Sequence, residues 1–213
     1  GSIAAEKAGI LRRGVPLVTG RLRPAARAVV LRRARRLGCG AWELGRTFDW
    51  RERRDGTIAV ALPGLDLEAL RVGRIGRFQR DNPALALAAS WLHASGQGIG
   101  PAAFATAAAK ALPASRWPGR WCPLPLRKNA GAWVDGGHNP EAASALAREI
   151  SRVPPWGEGR RLVALWSMLS DKDAPGYLRN LGRHLDGIVT YPLSHPRGAG
   201  RGALAEACAK QGI

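Results

Sequence analysis

The chain has 213 residues, 46% of them hydrophobic and 23% charged, which is long enough for two modest domains with buried cores and excludes a disordered tail. It holds no apolar run of about 18 residues, which excludes a membrane-spanning helix, and Cys39, Cys122 and Cys208 are an odd, scattered set expected to be reduced thiols rather than metal ligands or staples. The formal charge of +17 raises nucleic-acid binding as a hypothesis, but 28 of the 33 basic residues are arginines amid abundant Ala and Gly, no recognisable binding module accompanies them, and solvated helix faces are the expectation.

In chain order, Val15–Gly20 reads as a short buried strand, and Pro24–Leu37 has apolar positions at helical spacing with arginines on the other face. Ala41–Asp49 and Thr57–Leu62 are β-like runs. The charged segment between them carries an Asp55-Gly56 turn signal, so an antiparallel pair is expected. Asn82–His93 and Pro101–Leu112 are alanine-rich helices joined by a glycine-rich turn. Pro113–Pro125, with four prolines and two tryptophans, reads as an interdomain connection. Beyond it the pattern is strand 131–134, helix 140–152, strand 162–166, helix 174–185, strand 187–191 and helix 203–210. Such alternation predicts a doubly wound, mostly parallel sheet, with Asp135 and Ser167–Asp173 at one carboxyl edge.

Residues 135–140 read Asp-Gly-Gly-His-Asn-Pro, where a strand gives way to a helix. Ligands of open parallel sheets sit beyond the carboxyl ends of the strands, so an acid, an imidazole and an amide delivered there face a cleft. Asn139 as N-cap and Pro140 at the first helical position account for two of these residues. Asp135 and His138 are left for a functional role. The glycine stretches 96–100 and 198–202 read as loops, since the first lacks the lysine and hydroxyl of a phosphate-binding loop and the second has no strand immediately before it.

Ile-Ala-Ala-Glu-Lys-Ala-Gly-Ile (3–10), Gly-Arg-Phe-Gln-Arg-Asp-Asn-Pro-Ala-Leu-Ala-Leu-Ala-Ala (76–89) and Trp-Pro-Gly-Arg (117–120) precede that turn, and Ser-Asp-Lys-Asp (170–173) follows it. In this order and spacing the chain resembles the folylpolyglutamate synthase / dihydrofolate synthase family, a branch of the ATP-dependent Mur-type amide ligases. The resemblance implies an α/β chain: a remnant of a P-loop-type ATPase domain over 1–114, then a smaller, incomplete, Rossmann-like, mostly parallel sheet domain over 115–213. It also implies a ligase that uses ATP and Mg2+ to add L-glutamate to dihydropteroate or reduced folates through an acyl phosphate. Small-molecule substrates, no nucleic acid, no membrane, a monomer and a cytoplasmic location are the corresponding expectations. The family's Gly-x-x-x-x-Gly-Lys-Ser/Thr loop does not occur in these 213 residues. The chain therefore reads as an internal fragment, expected to be inactive alone, and Gly1-Ser2 as native or a cloning scar.

By resemblance, Lys7 matches a lysine that is carbamylated and helps hold magnesium, a hard cation suited to the carbamate oxygens; from sequence alone it reads as a surface lysine paired with Glu6. Asn82 matches an asparagine contacting ATP, and helix capping is the compatible structural role. Gln79 helps position the same loop. Arg120 matches an arginine reaching ATP, where a planar guanidinium forks onto phosphate. Asp135 matches the aspartate at the nucleotide, able to accept from ribose hydroxyls. His138 either binds phosphate or holds the turn. Gly137 stands where the family often has alanine, which is expected to loosen the turn. Two alternatives stay open: a non-catalytic basic relic with a binding role, and a Mur-type ligase for another acid and amino acid.

Overall fold

Apolar runs too short for helices become strands packed between alanine- and arginine-rich helices. The computed structural model describes residues 3–73, 76–115, 117–124, 131–152 and 161–213. The chain divides into two units, Gly1–Ile75 with Gln79–Arg116, and Trp117–Ile213 with Gly76–Phe78.

In the first unit, α1 (Ile3–Ala8) packs on α2 (Pro24–Arg36), and α2 connects two parallel strands, β1 (Leu17–Thr19) and β2 (Ala41–Glu43). Pro24 opens α2 because the first helical position needs no N–H. Gly38, at φ +65°, turns the chain at the other end and lets Cys39 N bond back to Ala34 O at 2.9 Å. A βαβ unit results.

The expected antiparallel pair forms over a different span. Residues 41–49 do not make one strand: β2 stops at Glu43, a tight turn returns the chain to Phe48, and only β3 (Asp49–Glu52) pairs antiparallel with β4 (Ile58–Leu62). The break has a local cause, since the amides of Arg46 and Thr47 both bond back to Glu43 O. The Asp55-Gly56 turn forms as read. Gly56 takes φ +79°, and Asp55 Oδ1 accepts from Thr57 N at 3.0 Å and Thr57 Oγ1 at 2.7 Å. A third strand that the sequence reading left unassigned, β5 (Leu65–Leu70), completes the sheet on the far side of β4.

Helices α3 (Asp81–Gly96) and α4 (Pro101–Ala114) lie against this sheet. Ile58, Val60, Leu67, Trp91 and Phe104 form the centre of the core, with Trp91 and Phe104 rings 5.2 Å apart. Trp91 also satisfies its one polar atom, Nε1, on Pro63 O at 3.0 Å.

The second unit begins with a strand where only a connection was expected. β6 (Cys122–Leu124) pairs antiparallel with β7 (Ala132–Val134), and Pro113 lies inside α4 rather than in a linker. Then follow α5 (Pro140–Arg152), β8 (Val163–Trp166), α6 (Ala174–Leu181), a 3-10 turn over Gly182–His184, β9 (Gly187–Thr190) and α7 (Arg201–Ala209). β8 and β9 are parallel with α6 as crossover, and among the described residues the partner of β7 is β6. Leu146, Ile150, Trp166, Leu178 and Leu204 make this unit's core. No described helix is long and apolar enough to cross a membrane.

One ion pair ties the crossover helix of the first unit to its strand. Arg27 grips Glu43 through Nε to Oε2 at 2.5 Å and Nη2 to Oε1 at 2.8 Å, and the Glu43 side chain is only 14% exposed. The Arg27 hydrogen bond holds the Glu43 carboxyl below the ordinary carboxylate range. A carboxyl whose folded value lies below its unfolded one contributes stability that is full above the unfolded value and is lost as pH falls through the folded value. Glu43→Gln is therefore expected to lower the urea midpoint of this unit at pH 7, with the gap to the parent closing as pH drops below about 4.

Candidate functional site

The register of β6 and β7 builds the site. Cys122 lies opposite Val134, so the residues just outside the pair, Trp121 and Asp135, face each other, and so do the turns that carry them. Asp135 Oδ2 accepts from Trp121 N at 2.9 Å, while Oδ1 accepts from Gly137 N at 2.7 Å. Gly136 N donates to Gly119 O at 2.7 Å. Two bonds thus fasten the Trp-Pro-Gly-Arg segment to the Asp-Gly-Gly-His-Asn turn, and the third closes the latter on itself.

Two backbone features show how tightly they are held. Gly119, at φ +75°, lets the first turn close with Arg120 N on Trp117 O at 3.2 Å. Trp121 sits at φ +46°, a left-handed conformation that costs a bulky residue free energy. Its amide bond to Asp135 and its stack on Trp133, centroids 6.1 Å apart, hold it there.

At Gly137 the structure corrects the expectation of a loosened turn. A Cβ on Gly137 would lie 2.8 Å from Asp135 Oδ1 and 3.0 Å from Ala142 Cβ. Glycine permits the Asp135 carboxylate to fold back onto the Gly137 amide, and the turn is closed rather than loose.

His138 is exposed, with Nδ1 3.1 Å from Gly136 O. A carbonyl only accepts, so Nδ1 carries the proton and Nε2 is left as the outward-facing nitrogen. Asn139 caps α5, with Ala142 N on Asn139 Oδ1 at 2.8 Å, and Pro140 follows at the first helical position. Arg120 is exposed beside these groups.

The Ser-Asp-Lys-Asp loop reaches the same end of the unit through close packing. Asp173 caps α6 by accepting from Gly176 N at 2.9 Å. A Cβ at Gly176 would meet Asp173 Oδ2 at 2.2 Å and Pro140 Cγ at 2.9 Å, so only glycine lets the starts of α5 and α6 adjoin. Asn180 Nδ2 adds a bond to Pro140 O at 3.0 Å. The loop itself is pinned by Ser170 N on Arg197 O at 2.8 Å and Ala199 N on Met168 O at 2.9 Å. Lys172, at 3.0 Å, holds the Asp171 carboxyl below its usual range, with Arg197 assisting.

Sequence reasoning missed Trp121 and Tyr177, and placed Ser167 at the carboxyl edge without giving it a role of its own. Tyr177 is buried, stacks on Trp166, and has its hydroxyl pushed up to about 12, first by burial and then by the charge of Asp135. A neutral phenol therefore stands near the Asp135 carboxylate. Trp166 Nε1 and Ser167 Oγ, at the carboxyl end of β8, are buried without a hydrogen-bond partner among the described residues. Nothing in residue type marks Tyr177, which reads as the apolar face of a helix. The Trp121 signal lay one residue beyond the Trp-Pro-Gly-Arg segment.

The other two selected residues belong to the first unit. Asn82 is exposed at the second position of α3, which begins at Asp81, so it is not the helix cap. The start of α3 is fixed instead by β3: Trp50 Nε1 donates to Asp81 Oδ1 at 2.6 Å, and Glu52 pairs with Arg80. Gln79, just ahead, is buried. Lys7 is exposed on α1, with Nζ 3.3 Å from Glu6 Oε1. Among the described residues no three His, Cys, Asp or Glu side chains group to hold a metal ion. The donors present do not by themselves fit a magnesium site.

No protein-family model matches the chain. Folylpolyglutamate synthase of Lacticaseibacillus casei is 30% identical over 188 residues, covering 81% of this chain and 39% of the relative. Dihydrofolate synthase/folylpolyglutamate synthase of Bacillus subtilis (strain 168) is 29% identical over 211 residues, covering 92% of this chain and 45% of the relative. Among solved structures, Mycobacterium tuberculosis folylpolyglutamate synthase complexed with ADP and AMPPCP superposes with a TM-score of 0.80 at 28% identity, over 98% of this chain and 47% of that one. E. coli FolC in complex with DHPP and ADP gives 0.75 at 28% identity, over 99% and 46%. A bifunctional folylpolyglutamate synthase/dihydrofolate synthase with Mn, AMPPNP and L-glutamate bound gives 0.76 at 29%, over 96% and 46%. The chain spans less than half the length of the relatives it matches, and over that span it is similar in sequence and fold to folylpolyglutamate synthases / dihydrofolate synthases.

Proposed function

We propose that this chain contributes one side of the nucleotide site of an ATP-dependent ligase that joins L-glutamate to dihydropteroate or a reduced folate. The observation that carries the reading is the bonded pair of turns at Trp121–Asp135 and Gly136–Gly119, which presents Arg120, Asp135 and His138 together. Solved relatives with ADP, AMPPCP or AMPPNP bound, and with DHPP or L-glutamate, support it. In this reading residues 1–114 belong to the central ATPase domain and 115–213 to the C-terminal Rossmann-like domain.

The roles follow from donor and acceptor inventories. Arg120 offers a planar fork of donors to phosphate oxygens and spreads the charge that grows as a phosphoryl group moves to the substrate carboxylate. Asp135 accepts only, so it suits ribose hydroxyls, and its two backbone bonds preset its orientation. His138 Nε2 faces outward to receive or give a proton at a phosphate oxygen. Asn82 offers both a donor and an acceptor to an adenine edge. When bound, ATP supplies the phosphoryl group that makes the carboxylate electrophilic toward the glutamate amine. Lys7, open to carbon dioxide, is the proposed carbamate, and intact mass of the native protein is expected to show one added carbon dioxide in part of the population.

Asp135 has a structural and a ligand role, and two substitutions separate them. Asp135→Ala removes both acceptors and is expected to cost about 1–3 kcal/mol in unfolding free energy. Asp135→Asn keeps one oxygen and is expected to cost about half as much while still losing the carboxylate's affinity for ribose hydroxyls.

The whole reading frame containing these residues, assayed for glutamate-dependent ADP release with dihydropteroate, tests the function. Arg120→Ala and Asp135→Asn are each expected to raise the ATP KM roughly tenfold to hundredfold, the loss of one hydrogen bond to a charged group. An unchanged ATP KM in both variants would remove the nucleotide from these turns. No turnover in the parent would favour a non-catalytic binding role.

A further inference from the structure

A second polar groove lies in the same unit, toward the other end of α5. It encloses about 270 Å³ between Ser144, Arg148 and Ser151 of α5 and Asn180, Arg183 and His184 at the end of α6 and the turn after it. Helical spacing of four and three puts the three α5 residues on one face. At 1.5 Å per residue, Ser151 is roughly 18 Å along the helix from Asn139, so the far end of the groove lies away from the Asp135 turn, while Asn180, which bonds to Pro140 O, lines its near end.

Its electrostatics are one-signed. Among the described residues no acidic side chain lines it. Arg21, Arg27, Arg51, Arg53, Arg80 and Arg197 are matched with carboxylates, whereas among the described residues neither Arg148 nor Arg183 has a carboxylate at ion-pair distance.

The groove is also ordered from within. Arg183 Nε lies 3.1 Å from His184 Nε2, Ser151 Oγ lies 3.2 Å from His184 Nδ1, and Ser151 Oγ donates to Ala147 O at 2.9 Å. Guanidinium only donates, so His184 accepts at Nε2 and carries its proton on Nδ1, which donates to Ser151. The serine proton is committed to a carbonyl, which rules out an activated nucleophile. The effect of the chain of bonds is to fix Arg183 by its Nε and leave its terminal nitrogens for a ligand. A fixed guanidinium loses less conformational freedom on binding than a free one.

We propose that this groove binds a small polyanion carrying two carboxylate or phosphate groups, one for each of Arg148 and Arg183. Its volume lies just below the range common for ligand pockets, about 300–1,000 Å³, which restricts it to a small ligand. The inference rests on these side chains alone and is independent of the nucleotide reading.

The test is titration of the full chain with γ-glutamylglutamate, citrate and inorganic pyrophosphate, followed by calorimetry at fixed salt. Binding of the first two alone identifies a polycarboxylate ligand; binding of pyrophosphate alone identifies a phosphate one. Arg148→Ala/Arg183→Ala is expected to weaken the binding at least about tenfold. Arg32→Ala/Arg33→Ala, which removes the same charge from an exposed face of α2, is expected to change it by less than about twofold. Arg148→Lys/Arg183→Lys keeps charge and fold, and is expected to weaken binding several-fold because the planar fork is lost. Equal weakening by the two alanine pairs would reduce the effect to net charge and overturn the proposal, as would binding of none of the three anions.

Discussion

The Asp135 carboxylate is the constraint on which the second unit's candidate site depends. Its two oxygens are used on two backbone amides from opposite sides, Trp121 on one turn and Gly137 on its own. A neutral acceptor could make either bond; a carboxylate makes both with charge-assisted strength. That lets Trp121 occupy a left-handed conformation that a tryptophan rarely takes, and it fixes Arg120 one residue away. Burial first, and then the same charge, raise the nearby Tyr177 hydroxyl above its ordinary value. Packing then adds the start of α6, since Gly176 leaves room for both Pro140 and the Asp173 carboxylate. Turn, helix start and buried phenol therefore form one structure around a single acid.

The charge of +17 divides into distinct uses. Some arginines are structural: Arg27 clamps Glu43, and Arg51 and Arg53 both reach Glu68 across the β3–β4–β5 sheet. Others, such as Arg32 and Arg33 on α2, are solvated. Arg148 and Arg183 are neither paired among the described residues nor spread over a convex face, because they share a concave groove. Geometry, not the count of positive charges, separates an anion site from a basic surface.

The sequence was most legible where local chemistry decides structure. Asn139-Pro140 wrote the start of α5, Asp55-Gly56 wrote the β3–β4 turn, and the alternation after residue 131 located α5, β8, α6, β9 and α7. It was least legible where long-range pairing competes with local pattern. Residues 41–49 look like one strand, but β1 claims the first three as a parallel partner and a turn on Glu43 O removes the middle. β6 hides in a proline-rich segment, because an edge strand tolerates Pro123 and its pairing is set by β7, some ten residues on. The juxtaposition of Trp121 and Asp135 follows from that register and from no property of either residue. Asn82 looked like a helix cap for the same reason: its type suits the role, but Trp50 and Glu52, thirty residues earlier, fix where α3 begins.

The central claim is that the two fastened turns form a nucleotide-binding surface. The most direct measurement is amide shift mapping of the isotope-labelled chain during titration with ADP. The account predicts that the largest changes fall on Trp121, Gly136, Gly137 and His138 and disappear in Asp135→Asn. Shifts clustered away from residues 117–139, or unchanged by that substitution, would contradict it.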